Sequence, residues 1–167
     1  AIFELSRKHS APVLSCSSIR YARGIAELGE GAEVFGCESF GPAAILDDFP
    51  GLFWYGIHSA EVLFSKMGAG CKEVSTRKTD LADIVTGIWD DGRIGTLYGF
   101  RYPGLSGFGA TVFTSQGIQH GLQQGDPPAY ALMLKQILEF FRKGVAPIDP
   151  QVTFEIVAFL DAANKSR

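Results

Sequence analysis

The stretch from Lys72 to His120 constrains the fold more than any other part of this chain. It divides into short β-prone segments separated by turn chemistry. Lys72 to Lys78 and Ala82 to Trp89 read as strands. Asp90-Asp91-Gly92 supplies the Asp-Gly chemistry that tight hairpins favour. Ile94 to Arg101 follows, with Ile94, Tyr98 and Phe100 on one face. Phe108 to Thr114 comes next, then a turn at Gln116-Gly117 and a short strand to His120. Strands in sequence with short turns pair mostly antiparallel.

Helical patterns flank this run. Tyr130, Leu134, Ile137, Leu138 and Phe141 share one face of a helix that Gly144 stops. A last helix opens at Asp149 as N-cap with Pro150 at its first position, and buries Val152, Ile156, Phe159, Leu160 and Ala163. The expected fold class is α+β: an open, predominantly antiparallel sheet with helices on one face. The other face would be exposed, covered by a partner, or covered by a second copy.

Upstream, Pro12 to Cys16 reads as a short buried strand, and Ser17 and Ser18 as N-caps for a helix from about Ile19 to Leu28. Helix, strand and helix in that order match the last unit of a parallel α/β sheet. Ligands of such sheets bind beyond the carboxyl ends of the strands, which puts Ser17, Arg20 and Tyr21 near a potential site. Arg20 and Tyr21 read equally well as surface residues of a helix. AIFELSRKH resembles the second half of a helix, and no cap or initiator Met precedes Ala1. The expectation is a piece of a longer protein, in which residues 1–18 end a nucleotide-binding domain and 19–167 form the following one.

The chain has 167 residues, 46% of them hydrophobic and 20% charged, enough to bury a core. Its net charge of −3 and lack of a long basic run argue against nucleic acid as a partner. No apolar stretch approaches the roughly 20 residues that span a bilayer. The three scattered cysteines, Cys16, Cys37 and Cys71, fit a reducing, cytoplasmic compartment, and no His or Cys spacing suggests a metal.

One histidine stands out. In FWYGIHSAEVLFSKM, residues 53–67, the apolar stripe is Phe53, Ile57, Ala60, Phe64 and Met67. His58 lies off it, on a flank with Trp54 and Glu61. Gly56 costs a helix about 1 kcal/mol against alanine, a cost accepted where another group must come close. The imidazole is either a proton-transfer group or a hydrogen-bonded packing residue. GFGATV at 107–112 lacks the third glycine of a dinucleotide loop and sits in a predicted strand. Asp47 and Asp48 are adjacent and point apart. Arg101 and Tyr102 end a strand, where they meet solvent or an anionic or hydroxylated ligand.

Taken together, several segments resemble the C-terminal part of the Gfo/Idh/MocA oxidoreductases. PVLSCSSIRYA is similar to that family's last nucleotide-domain strand and the helix after it. YGIHSAEVLFSKMGAGCKEV is similar to its G-x-H helix, IVTGIWDDGRIGTLYGFR to its central hairpin, and ILEFFRKGVAPIDPQVTFEIVAFLDAANKS to its final helix pair. The resemblance implies an N-terminal Rossmann domain, NAD or NADP as cofactor, a sugar or polyol substrate, and a homodimer or tetramer built on the open sheet. It implies His58 as the catalytic histidine; the strand-end positions then place Ser17 at the cofactor and Arg20, Tyr21 and Arg101 around the substrate, together with Trp54 and Tyr55. The family's helix carries Asp-x-Gly-x-His. Here Trp54 stands where that Asp would fall, so an aspartate role is not implied. Trp54 and Tyr55 would instead wall a sugar ring or pack against the nucleotide domain.

Overall fold

The computed structural model describes residues 2–167. Six strands form one open sheet: β1 Val34–Pro42, β2 Cys71–Lys78, β3 Ala82–Trp89, β4 Ile94–Phe100, β5 Gly109–Thr114 and β6 Gly117–Leu122. Their spatial order is β2-β3-β4-β1-β5-β6. Four neighbour pairs are antiparallel, and β1 runs parallel to β4. The sheet is therefore mixed. The first strand of the sequence slots between β4 and β5, so strand order does not follow the chain throughout.

The helices divide into two groups. α3 (Gly56–Met67) and α5 (Pro150–Lys165) lie on one face of the sheet. α3 is enclosed by the sheet, by α5 and by a 3₁₀ turn at Ser18–Tyr21, which is why Glu61, Val62 and Leu63 are buried alongside its apolar stripe. Facing it, the inward positions of β3 and β4 alternate large with small. Trp89 lies flat in this layer, its indole N–H donating to the Gly68 carbonyl at 3.0 Å. A Cβ on Gly95 would come within 2.9 Å of the Trp89 ring, so glycine is what lets the indole lie on the sheet. α5 buries Ile156, Phe159, Leu160 and Ala163, as its periodicity predicts. Its N-cap is Asp149, whose carboxylate accepts from Gln151 N at 2.8 Å. Asp149→Ala is expected to cost about 1 kcal/mol in chemical denaturation; no change would remove the cap from the account.

α4 (Ala129–Lys143) behaves differently. It packs on the 3₁₀ turn rather than on the sheet, and Phe140 is its one buried residue. The predicted apolar face points outward, with Tyr130, Leu134, Leu138 and Phe141 all exposed. On the sheet's open face Ile84, Ile88, Ile94 and Ile118 are likewise exposed.

Three local expectations need correction. Pro12 to Cys16 is neither strand nor buried: the six-stranded sheet begins at Val34, and this segment has no strand beside it among the described residues. The helix expected over Ile19–Leu28 is broken into the 3₁₀ turn Ser18–Tyr21 and one turn, α2 (Arg23–Ala26), with Ala22 extended between them at φ −59°, ψ 130°. The cause is tertiary. The Gly24 backbone presses on Gly121 and Leu122 of β6 so closely that a Cβ on Gly24 would strike the Leu122 carbonyl and one on Gly121 the Gly24 carbonyl. The helix expected from Phe53 starts at Gly56, because 51–53 form a separate 3₁₀ turn. Finally α1 (Ile2–His9) rests Phe3 on Phe154 of α5, with ring centroids 4.8 Å apart.

Candidate active site

His58 sits in the first turn of α3, under the segment that leads into the 3₁₀ turn. Ser17 caps that turn. Its Oγ accepts from Ile19 N at 3.2 Å and lies 2.9 Å from His58 Nδ1. Ser17 is buried; His58 is half-buried. The ring has two aromatic walls. Tyr55 meets it edge-on at 5.5 Å and Phe108 at 5.4 Å, and these two rings stack on each other at 6.4 Å. Burial pushes the imidazole below its ordinary pKa of 6.5. The ring is therefore neutral at pH 7, with one lone pair and one N–H, which is the state a proton-transfer group needs.

Trp54 and Tyr55 precede α3. Trp54 leans on Phe49 at 4.5 Å and reaches Tyr55 at 5.9 Å. Trp54 is 37% exposed and Tyr55 39%, so both present ring surface beside His58. Gly56 is the close-approach position the sequence suggests, and the neighbour is Leu52: a Cβ there would sit 3.0 Å from the Leu52 Cβ.

One helical turn beyond His58, Glu61 receives Arg20 at 2.9 Å. Both side chains are largely buried, and burial raises the Glu61 pKa against the pull of the guanidinium. Arg20 is thus committed to a carboxylate, and Glu61 to Arg20 rather than to His58. Tyr21 packs beneath the Arg20 guanidinium, 6.0 Å from its centroid. Its hydroxyl is buried against the Cys16 thiol, a weak partner, and burial pushes its pKa to about 12. Arg101 is placed elsewhere. It donates to Asp83 at 2.7 Å and to the carbonyls of Thr79, Asp80 and Ala43. Asp83 is fully buried and also holds Arg167.

The structure thus gathers Ser17, Tyr55, His58 and, beside them, Trp54. It pairs Arg20 with Glu61, packs Tyr21 under Arg20, and binds Arg101 into a separate network. Sequence reasoning missed Phe108. It stands at the end of an exposed loop, fifty residues from His58, and no local pattern marks it. Among the described residues no cluster of His, Cys, Asp or Glu could hold a metal ion. Among the same residues no helix is long and apolar enough to cross a membrane.

No family model and no curated protein matches the sequence. Solved structures do match the fold. GenD2 from gentamicin A biosynthesis, solved in complex with NAD, superposes with a TM-score of 0.73 at 16% identity, over 97% of this chain and 63% of its own. UDP-N-acetylglucosamine 3-dehydrogenase GnnA from Acidithiobacillus ferrooxidans gives 0.70 at 12% identity, over 99% and 66%. A myo-inositol dehydrogenase from Corynebacterium glutamicum gives 0.61 at 17%, over 90% and 62%. The chain spans less than two thirds of the length of each. The open mixed sheet and its helices are the fold of the C-terminal part of the Gfo/Idh/MocA dehydrogenases.

Proposed function

We propose that this chain is the substrate-facing part of an NAD(P)-dependent oxidoreductase that acts on a sugar, polyol or related hydroxy compound. The observation that carries the reading is His58: a neutral imidazole held at Nδ1 by Ser17, between aromatic walls and beside the exposed rings of Trp54 and Tyr55. When bound, NAD(P) takes up or gives the hydride. His58 takes or gives the proton of the reacting hydroxyl. Trp54 and Tyr55 offer flat faces to the C–H side of a sugar ring.

The residues in hand do not fit the dinucleotide itself. Ser17 is buried and bonded to Ile19 and His58, and residues 107–112 run into strand β5 rather than into a helix. The cofactor would be bound by a nucleotide-binding part that residues 1–18 adjoin, with 19–167 as the substrate and dimerisation part. Accordingly, NAD or NADP titrated into the 167-residue chain should give no measurable heat, and micromolar binding would contradict this division. The exposed isoleucines of the open sheet face support a homodimer or tetramer formed through it. The three free cysteines support a cytoplasmic setting.

A second reading keeps the fold and drops the chemistry: a non-catalytic sugar-binding or dimerisation module. Trp54, standing where the resemblance expects aspartate, favours it. A panel of sugars and polyols, assayed by NAD(P)H absorbance with the nucleotide-binding part present, separates the two. Turnover of any member supports the oxidoreductase. Saturable sugar binding without turnover supports the module.

A further inference from the structure

We infer that Ser17 is a positioning residue for His58: its oxygen accepts Nδ1–H and leaves Nε2 as the ring nitrogen that exchanges a proton with the ligand. This deepens the proton-transfer reading of His58 and rests on it.

The Ser17 oxygen has two acceptor sites. The Ile19 amide occupies one, at 3.2 Å, and the imidazole Nδ1 lies 2.9 Å away, in reach of the other. The serine is itself fixed, buried and extended at φ −94°, ψ 143° as the cap of the 3₁₀ turn. A second clamp joins the same two elements. Arg20 grips Glu61 three residues further along both, so Ser17–His58 and Arg20–Glu61 form two rungs of equal sequence separation, 41 residues each. The turn can neither slide nor rotate along α3 without breaking both.

Chemistry chooses the direction of the hydrogen bond. Proton exchange at Nε2 moves the ring between a neutral form with hydrogen on Nδ1 and an imidazolium with hydrogen on both nitrogens. Nδ1 carries hydrogen in each. An acceptor at Ser17 serves both states without rearrangement, whereas a donated Ser17 O–H would hold the hydrogen on Nε2 and block it as a base. Arg20 and Glu61, one turn further along, are paired with each other. Tyr55 and Phe108 fill the flanks.

Long-range ¹H–¹⁵N spectra of the labelled 167-residue chain read the tautomer directly, before any turnover is measured. The wild-type chain should show hydrogen on His58 Nδ1. Ser17→Gly should shift the population toward hydrogen on Nε2; glycine costs a helix cap only a few tenths of a kcal/mol, so the turn should persist. With the nucleotide-binding part present, Ser17→Gly should lower kcat by at least about tenfold with little change in KM, the low end of what a placed proton-transfer group contributes. It should also move the acid limb of kcat/KM to lower pH, because the imidazolium loses its acceptor. Ser17→Thr, which keeps the hydroxyl, should restore both. Hydrogen on Nε2 in the wild type, or an unchanged tautomer in Ser17→Gly, overturns the positioning role. Full turnover in Ser17→Gly beside a dead His58→Ala overturns it too, while leaving His58's own role intact. Full turnover in His58→Ala instead sinks the reading beneath it.

Discussion

His58→Ala, assayed with the nucleotide-binding part present, lowers kcat by at least about tenfold, and by as much as about 10⁴-fold where proton transfer limits the rate. The expectation rests on geometry first. The imidazole is fixed at Nδ1, flanked by rings on two sides, and placed beside the exposed Trp54–Tyr55 surface. Its protonation state points the same way. Burial lowers the His58 pKa from 6.5, so the lone-pair form persists below the pH at which a free histidine would protonate. The acid limb of kcat/KM should therefore lie below pH 6.5 and vanish in the variant. Stability should follow the same group with a definite sign. The unfolded chain takes up this proton at a higher pH than the folded one. The stability tied to neutral His58 is fully present above pH 6.5 and is lost as pH falls through the lowered folded value. A variant with wild-type kcat and an unchanged acid limb would take His58 out of the chemistry.

Asp83→Ala destabilises the fold by about 3 kcal/mol, toward the lower end of what breaking a buried ion pair costs. The Asp83 carboxylate is fully buried at the start of β3, where it accepts from Arg101 at 2.7 Å and Arg167 at 3.0 Å. Removing it strands two largely buried guanidinium groups. Arg101 keeps its carbonyl partners at Thr79, Asp80 and Ala43, which holds the cost at the lower end. The exposed Lys165–Asp161 pair is the control: a helix-surface bridge of that kind is worth about 0.3–0.5 kcal/mol. For a domain of this size 3 kcal/mol corresponds to a Tm drop of roughly 6–12 °C. A drop no larger than that of Asp161→Ala would show that the network is not what holds this end of β3 and β4.

The strand run was legible because strands and tight turns leave local marks. β3 occupies Ala82–Trp89 as its pattern indicates, and the Asp90–Gly92 turn joins it to β4. Asp149, Pro150 and Gly144 mark helix ends for equally local reasons. What escaped the sequence is set by distant contacts. The insertion of β1 beside β4 leaves no mark on either strand. The break at Ala22 comes from β6 pressing on Gly24, nearly a hundred residues away in the chain. The outward face of α4 looks like a core face, since periodicity records amphipathicity and not which partner covers it. At the site, His58 was legible because a lone imidazole interrupts an apolar pattern. Arg20 and Arg101 are plausible ligand groups in sequence, yet each is committed to a buried carboxylate that only the fold brings near.

The most direct measurement is a crystal structure of the protein with its nucleotide-binding part, NAD(P) and a bound sugar or polyol. A ligand hydroxyl is expected within about 2.6–3.2 Å of His58 Nε2, the reach of a proton-transfer group. Nε2 turned into the protein, with the ligand lying away from the Tyr55 and Trp54 rings, would contradict it.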